Sequence, residues 1–295
     1  MCVVTITGVK LMKITNKHNL PEAFVKLAQQ EEQIDNDQIR VTQLLNGLRA
    51  TELLRRYGSE IEVDVSEMIW MIFGTATHAV LENTDEADDE FREQRLSMPL
   101  EGISITGKSD VFKDGVITDY KTCSVWKVIH NDFEDWERQL MLYALLWKYA
   151  GFDVKSCRIV AMMRDHSKNK ARTEKDYPDL PVETIEFAVT DEKLKETLSW
   201  AKHRVQEMLD IRFLPDEKLP MCTPEERFND GDRYAIMKNG AKRAKKVCDT
   251  REEAEKCMAE NGGDYIEVRK GRDTKCLDYC MARSVCPYAQ SLKEE

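Results

Sequence analysis

The sequence lacks any apolar run approaching the about 18 residues that a membrane-spanning helix needs. Its short apolar start, residues 1–13, has no small-residue cleavage site, so a secretory signal is not expected. Internal repeats and low-complexity tracts are missing too. Positive charge is in deficit: the 295 residues carry a formal net charge of −10. That deficit argues mildly against a nucleic-acid partner, because phosphate contacts rest on Lys and Arg. One basic groove would be enough to override it, and the charges are unevenly placed. Residues 84–93 are strongly acidic, whereas residues 164–175 and 238–247 are basic.

What is present describes a soluble, heavily charged globular chain, 42% hydrophobic and 33% charged. The stretch 65–83 has a wide apolar stripe at helical spacing (Met68, Ile69, Ile72, Phe73, Ala76, Val80, Leu81) with Ser66 as a plausible cap. It predicts a buried helix carrying His78 and Glu82 one turn apart. Residues 94–122 change period and break into short β-rich runs between EG and DG turns, which predicts an antiparallel meander of three strands. A helix to Gly151, two strands and a long amphipathic helix capped by Thr190 or Asp191 follow.

This order gives an α/β domain with a mixed central sheet flanked by helices. A Pro-containing segment near residue 215 marks a boundary. Beyond it a small α+β appendage is expected. It comprises a hairpin with Asn-Gly at its tip, a helix with Thr250 and Glu253 in capping-box spacing, a third strand and a Cys-rich tail. The resulting division is an N-terminal extension over 1–40, a core over 41–214 and the appendage over 215–295.

The chemistry concentrates in residues 107–127. In a strand, residues i and i+2 share a face, so Asp119 and Lys121 project together and Tyr120 points away. Asp110 lies across a DG turn and can reach the same spot. Two carboxylates suit a hard divalent cation such as Mg²⁺, and an adjacent ammonium can hold a water or offset phosphate charge. Hydrolysis of a phosphodiester needs that combination. Taken alone, D…DxK is short and more often an exposed strand with alternating charges. Gln139 and Tyr143, one turn apart on an otherwise apolar helix, suit hydrogen bonding to a DNA strand.

In this order, GTATH (Gly74 to His78), SDVF (Asp110), DYK (Asp119 to Lys121) and QLMLY (Gln139 to Tyr143) resemble the RecB-like branch of the PD-(D/E)XK nuclease superfamily. That branch includes phage recombination exonucleases and CRISPR-associated RecB-like exonucleases. The resemblance implies a restriction-endonuclease-like core and a deoxyribonuclease using Mg²⁺ or Mn²⁺ on linear DNA and its ends. His78, Asp110 and Asp119 would ligate the metal, helped by the backbone carbonyl of Tyr120. Lys121 would orient the attacking water, and Gln139 and Tyr143 would position the DNA strand. Glu82 is an additional acidic candidate. A bacterial cytoplasmic setting, with phage origin and a recombinase or single-strand-binding partner, is implied in the same way. Two other readings stay open: a module that holds DNA ends without cutting, and an adaptation nuclease working with a partner.

Without a secretory signal, the nine cysteines point to metal ligation rather than a disulfide framework. Cys276, Cys280 and Cys286 crowd the polar tail, one thiol short of a tetrahedral four-thiolate site. Cys222, in an irregular loop beside two prolines, is the best fourth. Zn²⁺ accepts such a set. The same resemblance favours a [4Fe–4S] cluster, since several RecB-like nucleases carry one on three tail cysteines and one upstream. The remaining cysteines, Cys2, Cys123, Cys157, Cys248 and Cys257, read as small buried hydrophobes.

Overall fold

The computed structural model describes residues 12–29, 38–82 and 90–292. The chain divides into two units. One runs to Asn46 and resumes over Arg55–Leu214; the other takes Gly47–Leu54 and Pro215–Glu295.

In chain order the first elements are β1 (Lys13–Thr15), α1 (Glu22–Ala28), β2 (Gln38–Arg40), α2 (Val41–Leu44), α3 (Leu48–Tyr57), β3 (Glu62–Asp64) and α4 (Ile69–Glu82). The strands β4 (Glu90–Arg92), β5 (Arg95–Leu100), β6 (Ile103–Lys108), β7 (Val111–Lys113) and β8 (Val116–Cys123) follow. After α5 (Val125–Ile129) and α6 (Glu134–Tyr149) come β9 (Ser156–Met163), α7 (Lys168–Thr173), β10 (Val182–Ala188) and α8 (Asp191–Asp210).

The core is the mixed α/β arrangement expected. Its five-stranded sheet has the order β10-β9-β8-β7-β4, in which only β8 and β9 run parallel. Parallel neighbours need a long crossover, which α5 and α6 supply. The meander expected over 94–122 is instead four strands split between two sheets. β5 and β6 pair with each other, and β2 joins β6 in parallel, whereas β7 and β8 belong to the five-stranded sheet. Lys13–Thr15, Glu22–Ala28 and Gln38–Arg40 supply β1, α1 and β2 to this unit.

The switch between sheets falls at Ser109–Asp110, and α6 holds it. Trp147 of α6 is 1% exposed; its ring stacks on Phe112 at 4.1 Å and its indole N–H donates to Ser109 Oγ at 3.0 Å. Gly107, two residues earlier, lies under the same helix. A Cβ there would sit 2.7 Å from Leu146 Cδ1 and 2.9 Å from Tyr143 Cε1.

Helix α4 departs from expectation. Ser66 does not cap it; Asp64 accepts from the Ser66 N–H at 3.1 Å and starts a 3₁₀ turn over Val65–Met68. Nor is the helix buried. Ile72 is covered, but Trp70, Met71, Phe73 and Val80 are exposed. Apolar spacing reports a helix face and not what covers it.

In the second unit, β11 (Arg233–Met237), β12 (Lys246–Cys248) and β13 (Tyr265–Arg269) form an antiparallel sheet in the order β12-β11-β13. Helix α9 (Arg251–Asn261) packs on it through Ala254 and Cys257 against Ile236 and Cys248. Thr250 Oγ1 caps this helix by accepting from the Glu253 N–H at 3.2 Å. The hairpin is present, but its connection spans residues 238–245, longer than the two-residue turn that Asn-Gly suggests. A π-helical turn over Lys275–Tyr279 and α10 (Pro287–Ser291) complete the tail. No described helix is long and apolar enough to cross a membrane.

Overpacking the β6–α6 contact gives a direct test. Gly107→Ala is expected to destabilise the protein by about 1–3 kcal/mol. Gly74→Ala, whose Cβ would meet nothing closer than Thr122 Oγ1 at 3.8 Å, should leave stability unchanged or raised, since Ala is the better helix former. Urea unfolding midpoints of the two variants check both.

Candidate active site

The centre is built just before β7 begins. β7 pairs with residues 116–118 of β8 and goes no further. The Tyr120 N–H therefore has no strand partner on that side, and a backbone donor there needs an acceptor. Asp110 Oδ2 accepts it at 2.6 Å. The other carboxylate oxygen of Asp110 meets His78 Nδ1 at 3.2 Å. Asp110 is 8% exposed, so its backbone anchor fixes a carboxylate that faces little water.

Glu93 was not singled out from the sequence, yet it joins this group. It follows β4, adopts a left-handed backbone at φ 47°, and donates its N–H to the Asp110 carbonyl at 3.0 Å. Its carboxylate is paired with Lys108. One ligand atom each from His78, Glu93 and Asp110 lies within 4.8 Å of the others. With Leu81, Arg92, Val111 and Tyr120 they line a cleft of about 200 Å³. Glu93 belongs to an acidic run with no periodicity, so only the pairing of β4 with β7 brings it to Asp110. The donor set, two carboxylates and an imidazole, fits a divalent cation of the Mg²⁺ or Mn²⁺ kind.

Asp119 and Lys121 share a face of β8, as the two-residue period requires. Lys121 Nζ lies 2.6 Å from Asp119 Oδ2. Asp119 is 2% exposed. Burial lifts its pKa above the usual carboxylate range, and the Asp110 charge adds to this. Burial works against the Lys121 ammonium, but Asp119 outweighs it and holds the Lys121 pKa above the ordinary lysine value. The hydrogen bond to Asp110 likewise raises His78 above the usual imidazole range. Asp119 thus lies beside the cation group without entering the trio, and its carboxylate is held by the lysine.

Gln139 and Tyr143 come together as their spacing implies, but they bond to each other. Gln139 Nε2 donates to the Tyr143 hydroxyl at 2.8 Å, and both are buried. Burial, then the Asp119 charge, pushes the Tyr143 pKa up. The side chain of Glu82 lies outside the described residues.

Within the second unit, Cys222, Cys276, Cys280 and Cys286 line one cavity of about 300 Å³, together with Arg49 and Arg227. Cys222 reaches it beside Gly47, where a Cβ would stand 2.6 Å from its sulfur. Burial raises the thiol pKa values of Cys222 and Cys280, and that of Cys276 to about 11. Among the described residues, no three of these sulfurs lie within 4.8 Å of one another. Cys123, Cys157, Cys248 and Cys257 are buried elsewhere, as small hydrophobes should be, and Cys2 lies outside the described residues.

No protein-family model matches the sequence, and no curated protein is similar to it at a significant level. Among solved structures, that of SSO0001 is similar at 16% identity and a TM-score of 0.43, over 62% of this chain and 81% of that one. An alkaline exonuclease from Laribacter hongkongensis is similar at 10% identity and a TM-score of 0.38, over 60% and 91%. A phage-related exonuclease from Haemophilus somnus 129PT is similar at 14% identity and a TM-score of 0.32, over 70% and 97%.

Metal binding tests the trio. Titration of metal-free protein with Mn²⁺ should show one site or more, and Glu93→Gln should weaken the binding by about tenfold or more. Glu90→Gln, three residues away and paired with Arg92, should bind as the parent does. Calorimetric titration separates the two, and unchanged binding by Glu93→Gln would remove Glu93 from the ligand set.

Proposed function

We propose that the protein is a metal-dependent deoxyribonuclease of the RecB-like PD-(D/E)XK type, acting as an exonuclease on linear DNA. One observation carries this reading. The His78–Glu93–Asp110 trio and the Asp119–Lys121 pair are joined through a single strand, because Asp110 is bonded to the backbone of Tyr120, which stands between Asp119 and Lys121. A cation group, a buried carboxylate and an ammonium in that order are what phosphodiester hydrolysis requires.

His78, Glu93 and Asp110 would hold a divalent cation, with Asp119 adjacent. When bound, the cation supplies charge neutralisation to the phosphate oxygens and lowers the pKa of water. Lys121 donates to the attacking water and aligns it, while its charge offsets the negative charge that grows on the phosphate. Asp119 keeps that ammonium in place. Water oxygen bonds to phosphorus as it gives up a proton, the P–O3′ bond breaks and a proton is returned to O3′, and the products are a 3′-hydroxyl and a 5′-phosphate. Gln139 and Tyr143 act behind the strand: their mutual bond fixes the helix face next to Asp119.

For the four thiols we infer a [4Fe–4S] cluster in preference to zinc. The preference rests on the resemblance: several RecB-like nucleases carry such a cluster on three tail cysteines and one upstream, and Cys222, Cys276, Cys280 and Cys286 line one cavity.

End-labelled linear DNA, single- and double-stranded, beside a covalently closed circle, tests the activity with Mg²⁺, Mn²⁺ and chelator. Only linear DNA should be lost, and Lys121→Ala should slow this by about 10²–10³-fold. Cutting of the circle would make the protein an endonuclease, and no cutting by folded protein would defeat the enzyme reading. For the tail, anaerobically purified protein should be brown, with visible absorbance bleached by dithionite, and Cys222→Ser should lose it. A colourless protein carrying one zinc would establish the alternative.

A further inference from the structure

Two exposed tryptophans near the end of β8 each carry a cation. Trp70 on α4 is 58% exposed and Trp126 on α5 is 51% exposed. The Arg164 guanidinium lies 4.7 Å from the centre of the Trp70 ring, and Lys170 Nζ lies 5.5 Å from that of Trp126. Each ring also has an aromatic companion. Phe73, 46% exposed, meets Trp70 edge-on at 6.3 Å, and the exposed His130 stacks on Trp126 at 5.9 Å.

These groups belong to one strip. Arg164 donates its N–H to the Cys123 carbonyl at 3.0 Å, at the last residue of β8. Its neighbour Asp165 accepts from Ser124 Oγ and from the Val125 N–H, both at 2.7 Å, and so fixes the start of α5 and with it Trp126. The strip therefore begins two residues beyond Lys121.

Burying a large aromatic gains about 1.5–3 kcal/mol, so three left in water ask for an occupant. A protein partner would bury the centre of its patch away from charge. Here a cation sits on each tryptophan, in the segment of the chain where basic residues cluster. Aromatic faces for bases, interleaved with cations for phosphates, suit a single strand whose bases are unstacked. A duplex keeps its base faces stacked inside, out of reach of these rings.

We propose that Trp70 and Trp126, with Phe73, His130, Arg164 and Lys170, form a stacking platform for single-stranded DNA that leads into the active centre. The proposal rests on the nuclease reading, since it supplies that centre with its strand.

The test is binding of fluorescent oligo-dT and of an abasic oligonucleotide of equal length, by anisotropy in chelator, where nothing is cut. Both carry the same phosphates, so a difference reports the bases. The parent protein should bind oligo-dT about tenfold or more tightly than the abasic strand. Trp70→Ala with Trp126→Ala should remove that preference with little change in the unfolding midpoint, and the Trp→Phe pair should restore part of it. Equal binding of the two strands by the parent, or a preference that survives the double Ala variant, would overturn the proposal. So would self-association of the parent that the double variant loses while strand binding stays the same. Cleavage is read separately with Mn²⁺. Base-selective binding without cleavage defeats the nuclease reading alone, and cleavage without base preference defeats this proposal alone.

Discussion

Asp119 is a carboxylate with almost no access to water, on the strand at the middle of the five-stranded sheet. Much of the centre can be read as the consequence of putting a charge there. An isolated buried carboxylate would neutralise itself, so it needs a cation within reach. Lys121 provides one from the same face of the same strand, at no cost in extra backbone. The same burial that makes Asp119 costly keeps Lys121 from wandering, because the ammonium has a fixed partner. Asp110 and His78 repeat this arrangement on the neighbouring side, with an imidazole in place of the ammonium.

Helix α6 is what lets these charges be held close. Its Trp147 pins Ser109, its Tyr143 and Leu146 close over Gly107, and Asp110 follows immediately in the chain. The sheet switch at this point frees the Tyr120 N–H for Asp110. A longer β7 would take that N–H into a ladder and leave Asp110 without its anchor. The break in strand pairing is therefore part of how the site is made, and α6 is the clamp that keeps the break in one place.

The parts of this arrangement with a local period were legible in the sequence. The alternation of Asp119 and Lys121, the one-turn spacing of Gln139 and Tyr143, and the cap at Thr250 all follow from geometry within a few residues. What depended on pairing between distant segments was not. Glu93 reaches Asp110 only through β4 and β7, and it stands in a run that by itself reads as a solvated acidic stretch. The switch between sheets at Ser109 is pinned by Trp147, more than thirty residues downstream. Helix α4 misled for a different reason: its apolar stripe is real, but periodicity cannot tell a face that meets the core from one that meets solvent or a ligand.

The thiol cavity follows the opposite logic from the carboxylates. At Asp119 the chain brings its own countercharge, the Lys121 ammonium. At Cys222, Cys276 and Cys280, burial raises the thiol pKa, so the chain by itself favours the protonated, neutral sulfur. Backbone N–H groups of Ala50 and Ala282 work the other way, favouring thiolate at Cys222 and Cys280. Such donors are of little use to a neutral thiol. They are of use to a ligated one, whose sulfur keeps its negative charge beside a metal. Ligation would release the thiol protons, and affinity would rise with pH for that reason. In the cluster site proposed for this cavity the sulfurs would be charged when filled and neutral when not, with the tail supplying three of the four.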